Sequence, residues 1–162
     1  MRQVVLGIGD LGASNTPGEV VKTYALGSCV AVMMLYPKTR AVGMVHVALP
    51  ESSINPAKGQ SCPGYFADLG VPLLLREMVR LGCPGNGRGI IVKLAGGASV
   101  MGHNDTFNIG KRNILAVKRS LWSLGMGAIA EDVGANYSRT VTMSVDSGLI
   151  TISCPGRGQW EI

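Results

Sequence analysis

Two apolar runs on either side of a proline-containing turn constrain the fold of this chain more than any other feature. Residues 30–36 and 41–49 are rich in β-branched and other apolar side chains, and Pro-Lys-Thr-Arg at residues 37–40 separates them. Proline presets the backbone φ for a turn, and apolar runs of this length beside turn residues are typical of strands. The sequence therefore predicts a β-hairpin that ends before Pro50.

The register of this hairpin decides which side chains meet. If residues 37–40 form the loop, Ala31 faces His46, and Cys29 is a diagonal neighbour of His46 on the same face. If the register shifts by two residues, Cys29 faces His46 directly. Both alternatives place a thiol and an imidazole on one surface, and a nucleophile beside a base is the minimum for covalent catalysis.

The residues around Cys29 strengthen a catalytic interpretation. Either Cys29 or His46 alone is more often a buried structural residue than a functional one. However, Gly27 and Ser28 permit a sharp bend and leave backbone N–H groups near the sulfur, where they can form an oxyanion hole. Thr23, on the preceding predicted strand, has a hydroxyl that can orient the imidazole. The candidate catalytic residues are therefore Cys29, His46 and Thr23, with Gly27 and Ser28 as candidate substrate-binding residues.

The same neighbours predict an activated thiol. His46 and the N–H groups of the Gly-Ser bend both favour the charged form of Cys29. The other cysteines, Cys62, Cys83 and Cys154, each precede a proline and have no histidine nearby in the chain. We therefore expect Cys29 to be the most reactive of the four thiols.

These residues resemble the CheD family, the chemoreceptor glutamine deamidases of bacterial chemotaxis. The resemblance rests on the spacing T-x5-C-x16-H and on the strings LGSCV, HVALP, FADLGVPLLLREMVRLG, KLAGGASVM, NIGKRNILAVKRSLWSLGM and AEDVGANYSRTV. It covers about residues 3–154, and it departs at Gly64, in residues 52–63 and in the tail 155–162. By resemblance, the family's catalytic cysteine, histidine and threonine correspond to the three candidates above.

The resemblance also implies a reaction and partners. It implies hydrolysis of receptor glutamine side chains to glutamate through a cysteine thioester, with methyl-accepting chemotaxis receptors as substrates. Some CheD proteins also bind the phosphatase CheC, which makes CheC a second candidate partner. The family is related in fold to the cysteine-dependent deamidase toxins. No cofactor is implied.

Composition bears on the number of domains, the class of partner and the presence of a metal site. A chain of 162 residues with 46% hydrophobic and 15% charged residues is typical of one folded domain, here residues 1–162. The net charge of +5 is modest, the basic residues are scattered and aromatic residues are 5%, which argues against nucleic-acid binding and favours an acidic protein partner. The cysteine spacing does not fit a metal site, so we expect free thiols and no bound metal.

The N-terminus and the apolar runs bear on localisation. The chain enters a strand pattern at once, without the features of a signal peptide. The longest apolar run, residues 30–36, is too short to span a bilayer. We therefore expect a cytoplasmic protein without direct membrane insertion.

The predicted architecture is α/β, more exactly α+β, with a mostly antiparallel β structure of one or two layers flanked by two or more helices. Pro72 is tolerated only near the first turn of a helix, so we expect the first long helix to begin near Gly70. Asn108 is the expected cap of the second helix. The predicted strands cover residues 4–6, 19–26, 90–94, 128–133, 139–145 and 149–153 besides the hairpin. Helical apolar spacing covers residues 66–81 and 108–124, and residues 7–18 and 51–64 are predicted as loops.

Several motifs have competing interpretations. Residues 7–12 match G-x-G-x-x-G, but loop residues rather than a helix follow, so we reject dinucleotide binding. Gly96-Gly97 is interpreted as a bend at a strand end rather than as a substrate contact. His103 is a weak candidate for a second base. The basic face of the second helix is by default solvated, and docking of acidic receptor helices is the alternative; its residues are Lys111, Arg112, Lys118 and Arg119.

Two rival functions remain open from the sequence. One is a binding module for CheC or receptors in which catalysis is secondary. The other is a different cysteine hydrolase, such as a peptidase, or a transglutaminase-like enzyme that uses an amine acceptor instead of water.

Overall fold

The computed structural model describes residues 2–99 and 108–162, in which ten strands form two five-stranded sheets. The strands are β1 Arg2–Leu6, β2 Leu11–Ser14, β3 Glu19–Leu26, β4 Val30–Tyr36, β5 Ala41–Val47, β6 Ile91–Gly96, β7 Ala128–Val133, β8 Arg139–Ser144, β9 Ile150–Cys154 and β10 Gly158–Glu161. The first sheet has the order β1-β3-β8-β9-β10, and the second has the order β2-β5-β4-β6-β7. Neighbouring strands are antiparallel except in the pairs β1–β3 and β6–β7.

The two sheets and the helices form three layers. The helices are α1 Pro56–Ser61, α2 Ala67–Arg80 and α3 Ile109–Ser123. One apolar cluster lies between the sheets and includes Val21, Met44 and Val141. A second cluster joins the second sheet to α2 and α3 and includes Val45 and Leu74. The predicted α+β class is confirmed, and its β structure has two layers.

The hairpin β4–β5 adopts the first of the two predicted registers. Ala31 lies opposite His46, and Val30 lies opposite Val47. Every residue of β5 is buried, because the second sheet is covered by the first sheet on one face and by helices on the other. Residues of β5 therefore alternate between two apolar layers, and His46 shares the inter-sheet side with Met44.

Two segments predicted as loops contain regular structure. Residues 7–18 include β2, which pairs with β5; its sequence, Leu-Gly-Ala-Ser, lacks the β-branched residues that mark a strand. Residues 51–64 include α1 and two 3₁₀ turns. Asn55 caps α1 by accepting a hydrogen bond from the Lys58 N–H, and proline occupies the first helical turn.

The prediction that the first long helix would begin near Gly70 is wrong, because α2 begins at Ala67. The Ala67 N–H donates to the Leu49 carbonyl at 3.0 Å, which anchors the first turn to the chain that leaves β5. Pro72 lies inside the helix, where it removes the hydrogen bond that an N–H would donate to the Asp68 carbonyl. The tertiary anchor and the buried apolar face hold the helix despite that loss.

The α3 helix differs from its prediction in its exposed face and its cap. Its exposed face is not only basic, because the apolar side chains of Leu115 and Trp122 have 43% and 59% of their surface exposed. Asn113 is instead fully buried on the inner side. Asn108 occupies the cap position with a left-handed backbone, φ of 51°. Its side chain makes no capping hydrogen bond to the helix.

The remaining predictions concern the C-terminal tail, the Gly96-Gly97 pair, His103 and membrane-spanning segments. The tail forms β10, which pairs with β9. Gly96 and Gly97 have φ values of 107° and 64°, which supports a bend, and a Cβ atom on Gly96 would clash with the Cys29 carbonyl oxygen. His103 lies outside the described residues. None of the helices in the described ranges is both long and apolar enough to cross a bilayer.

Candidate active site

A hydrogen bond across the two sheets connects Thr23 to His46. Thr23 lies on β3 of the first sheet, and His46 lies on β5 of the second. The Thr23 Oγ1 and His46 Nδ1 atoms are 2.7 Å apart. Thr23 is fully buried and His46 is 3% exposed. The structure therefore brings these two predicted site residues into direct contact inside the inter-sheet layer.

A second hydrogen bond of Thr23 determines the tautomer of His46. Thr23 Oγ1 donates to the Leu6 carbonyl at 2.8 Å, and a hydroxyl has one proton to donate. The contact with His46 is then a hydrogen bond only if the Nδ1–H of the ring donates to Thr23. The proton of the neutral ring is accordingly on Nδ1, and Nε2 has a free lone pair.

The Nε2 atom of His46 is buried and has no hydrogen-bond partner within residues 2–99 and 108–162. Buried polar atoms in folded proteins usually have a partner, so each exception requires an explanation. An imidazole nitrogen with a free lone pair is the group that a general base needs.

Hydrogen bonds fix the bend that carries Cys29. Residues 27–29 leave β3 and enter β4, and Cys29 is partly buried beside the inter-sheet cluster. Each of the three carbonyl groups in this bend accepts a hydrogen bond, either from the residues that follow β6 or from α3. The bonds run from Ala98 N to Gly27 O at 2.8 Å, from Asn113 Nδ2 to Ser28 O at 2.9 Å and from Gly97 N to Cys29 O at 2.8 Å.

The direction of these carbonyl groups sets the direction of the N–H groups. In a planar trans peptide, the N–H points away from the C=O of the same unit. The N–H groups of Ser28 and Cys29 therefore point away from Ala98 and Asn113. In the described part of the chain, neither donates to a backbone carbonyl. The Cys29 N–H lowers the pKa of its own thiol, so it lies near the sulfur. That both N–H groups form an oxyanion hole stays a prediction.

Burial keeps both candidate reactive groups neutral. It raises the pKa of the Cys29 thiol above its ordinary value, and the N–H of Cys29 itself lowers that pKa by less. Burial also lowers the pKa of His46, against a smaller opposite effect of the Asp10 carboxylate. The expected activated thiolate is therefore not the resting state, because desolvation outweighs the nearby N–H group.

Sequence reasoning missed Asp10, which lies beside His46. The His46 N–H donates to the Asp10 carbonyl at 3.0 Å, and the Gly9 N–H donates to the His46 carbonyl at 2.8 Å. The Asp10 carboxylate accepts the Gly7 N–H at 2.8 Å, which closes the turn. The glycine motif rejected as a dinucleotide site therefore forms a turn against the strand of His46. The pairing of β2 with β5 brings Asp10 there, and the sequence of β2 gives no strand signal that would have found it.

Asn113 is the second residue that sequence reasoning missed. Its side chain reaches the bend before Cys29 from α3. The one signal in the sequence is a polar residue on the apolar side of the helix, four positions before Val117.

Comparison with known proteins assigns the chain to a family. A family model described as CheD chemotactic sensory transduction matches residues 48–154. The chain is also 70% identical to a protein of Syntrophotalea carbinolica named "Probable chemoreceptor glutamine deamidase CheD", over 100% of both chains. The chain belongs to the CheD family.

More distant CheD relatives extend over almost the same length. The relative from Solibacter usitatus, "Probable chemoreceptor glutamine deamidase CheD", is 40% identical over 97% of this chain and 92% of its own. The CheD 1 protein of Syntrophus aciditrophicus, likewise named a probable chemoreceptor glutamine deamidase, is 38% identical over 96% of each chain. The CheD resemblance seen in the sequence is therefore confirmed.

The first prediction concerns the electrostatic effect of Asp10 on His46. Asp10→Asn removes a negative charge that favours the imidazolium form, so the pKa of His46 should fall further below its ordinary value. NMR titration of the His46 ring measures this shift, with the resonance assigned from a His46→Asn protein.

Asp146→Asn is the matched control, because Asp146 is also exposed and also accepts a backbone N–H, that of Gly18 at 2.9 Å. This control should leave the pKa of His46 unchanged. A rise in that pKa in Asp10→Asn, or an equal shift in both variants, would contradict the assignment.

Proposed function

We propose that this chain is a protein-glutamine deamidase that converts glutamine side chains of chemotaxis receptors to glutamate. Two observations carry the proposal: His46 Nε2 has a free lone pair without a partner in the described residues, and Cys29 packs against the inter-sheet cluster on the side of β5 that holds His46. The relatives named as probable chemoreceptor glutamine deamidases supply the reaction and the substrate class. Cys29, His46 and Thr23 are the proposed catalytic and positioning residues.

The first half of the reaction forms a thioester. His46 Nε2 takes the thiol proton as Cys29 Sγ attacks the carboxamide carbon of the substrate. The N–H groups of Ser28 and Cys29 stabilise the oxyanion that develops on the carboxamide oxygen. The imidazolium then gives its proton to the nitrogen, the C–N bond breaks, and ammonia leaves. Gly27 contributes by permitting the bend that exposes these N–H groups.

The second half of the reaction consumes water. His46 takes a proton from a water molecule as its oxygen attacks the thioester carbon. The C–S bond breaks, and the Cys29 sulfur regains a proton from His46. The product is a glutamate side chain, so each turnover adds one negative charge to the receptor and changes its signalling through local electrostatics.

The neutral resting pair suits this sequence of steps. A general base must be unprotonated before it acts, and burial lowers the pKa of His46 so that the neutral form is present at neutral pH. Thr23 accepts the Nδ1–H throughout, which holds the ring in place and supports the imidazolium when it forms. Activity should therefore fall on the acid side as pH drops through this lowered pKa.

A basic surface on α3 supports binding of an acidic receptor helix. Lys111, Arg112 and Arg119 are exposed, whereas Lys118 is paired with Glu131 at 2.8 Å. Arg112 and Arg119 line a cavity of about 230 Å³ together with Pro50 and Glu51, which follow the His46 strand. Complementary charge steers and orients partners. We propose that receptor helices dock on this basic surface of α3. We also propose that the protein acts in the cytoplasm.

Binding of CheC is the alternative role, and the same basic surface is available to it. A protein whose main task is docking would bind receptor or CheC equally well without its thiol. Cys29→Ala separates the two roles, because deamidation requires the sulfur and docking to α3 does not.

The test of the proposed function is mass spectrometry of cytoplasmic receptor fragments incubated with the protein. The wild-type protein should convert specific glutamines to glutamate, Cys29→Ala should convert none, and His46→Ala should be slower by about 100-fold or more, the usual scale for a lost general base. Cys83→Ala, which removes a buried thiol outside the site, is the matched control and should remain active. Conversion by Cys29→Ala, or incorporation of a labelled amine in preference to water, would contradict the proposal.

Thr23 is expected to act through its hydroxyl group. Thr23→Ser keeps a hydroxyl and should retain most activity, whereas Thr23→Val keeps the shape but loses both the bond to Leu6 and the bond from His46. The Val variant should lose up to about 100-fold, a large part of the contribution of the general base. Thr142→Val on the adjacent strand β8 is the control. Equal activity of the Ser and Val variants would reduce Thr23 to a structural residue.

A further inference from the structure

Asn113 joins the peptide before Cys29 to the chain that follows His46. Its Nδ2 group donates to the Ser28 carbonyl at 2.9 Å and to the Ala48 carbonyl at 3.0 Å. A side-chain amide has two N–H donors, and this geometry uses both. The side chain is fully buried, so water does not compete for either bond.

The bond to the Ser28 carbonyl determines where the Cys29 N–H points. The carbonyl and this N–H belong to one planar trans peptide, so they point in opposite directions. Because Asn113 holds the carbonyl toward α3, the N–H faces the other side, where it lowers the pKa of the thiol. A rotation of this peptide would withdraw a donor from both the sulfur and the developing oxyanion.

The bond to the Ala48 carbonyl connects the same amide to the base. Ala48 directly follows β5, two positions after His46, and its N–H donates to the Tyr65 carbonyl at 2.9 Å. One buried amide therefore sets the separation between the bend that carries the nucleophile and the strand that carries the imidazole.

The Oδ1 atom of Asn113 indicates that stability alone does not explain why an asparagine occupies this position. Its Oδ1 is buried without a hydrogen-bond partner in the described residues. An unpaired buried acceptor costs stability, whereas an apolar side chain of similar size would suit this stripe of α3, where Val117 and Leu121 are also buried. Residues that violate such local rules concentrate at functional sites.

We propose that Asn113 is a positioning residue of the active site, which orients the Cys29 N–H and couples the nucleophile bend to the His46 strand. This inference rests on the deamidase mechanism proposed above, in which that N–H stabilises the oxyanion. It predicts an effect on the chemical step and on the Cys29 thiol, rather than on receptor binding.

The test compares Asn113→Leu with Val117→Ala. Asn113→Leu keeps the approximate volume and removes both donors, whereas Val117→Ala weakens the packing of the same helix without touching the bend. In Asn113→Leu, kcat should fall by about 100-fold, the scale for losing an oxyanion donor, with KM nearly unchanged. The pH dependence of Cys29 alkylation, followed by peptide mapping, should shift to higher pH. Val117→Ala should lower the melting temperature and change neither quantity.

Two outcomes would overturn the inference: a folded Asn113→Leu protein with wild-type kcat and alkylation profile, or the same losses in Val117→Ala. The alkylation measurement needs no receptor, so it separates this inference from the proposed function. A wild-type protein without deamidase activity contradicts the proposed function, and an unshifted alkylation profile in Asn113→Leu contradicts the role of Asn113.

A measurement on the wild-type protein covers the case in which Asn113→Leu does not fold. NMR hydrogen exchange of the side-chain amides should show both Asn113 protons strongly protected. The side chain of Asn86, in an exposed loop, provides the unprotected reference. Exchange of Asn113 as fast as that of Asn86 would overturn the proposal, because both donors would then be open to water.

Discussion

The hydrogen bond between Thr23 and His46 determines which ring nitrogen of the candidate base carries the proton. It joins two sheets through side chains buried between them, and its two atoms are 2.7 Å apart. The hydroxyl of Thr23 is committed to the Leu6 carbonyl, which leaves it only the role of acceptor toward the ring. From this follow the Nδ1–H tautomer and the free Nε2 lone pair that the proposed mechanism uses.

Burial has two consequences for the same site. It raises the pKa of the Cys29 thiol and lowers the pKa of His46. The resting groups are therefore a neutral thiol and a neutral imidazole rather than an ion pair. In the proposed mechanism, the proton moves only as the sulfur attacks, and N–H groups already held in position stabilise the charge that develops. Three hydrogen-bonded carbonyl groups in residues 27–29 provide that preorganisation. Its cost in stability is the buried Asn113 Oδ1, which has no partner among the described residues.

Local patterns predicted the parts of the structure that local physics controls. The turn at residues 37–40 limited the hairpin to two registers, of which the first is observed, and β3 and the bend at Gly96 followed from alternation and glycine chemistry. Cys29, His46 and Thr23 were candidates because the hairpin and the preceding strand lie close in sequence. The start of α2 at Ala67 could not be predicted, because the anchor at Leu49 that overrides Pro72 is a tertiary contact.

The residues that sequence reasoning missed act over long distances in the chain. Asn113 is 85 positions from Ser28, and it reaches the candidate active site only because α3 packs against the second sheet. Asp10 approaches His46 through the pairing of β2 with β5, and β2 is too short and glycine-rich to be recognised. The sequence also does not show that β3 and β4, adjacent in the chain, belong to different sheets, which is why the contact between Thr23 and His46 crosses the core.

The protonation state of the His46 ring tests the proposed mechanism most directly. In ¹⁵N-labelled protein near neutral pH, the ring nitrogen shifts and their couplings to the ring protons should show a protonated Nδ1 and an unprotonated Nε2. Thr23→Val should release this preference while the fold persists. A wild-type ring that carries its proton on Nε2, or that is charged at neutral pH, would contradict the proposal that Thr23 holds His46 ready as the base for Cys29.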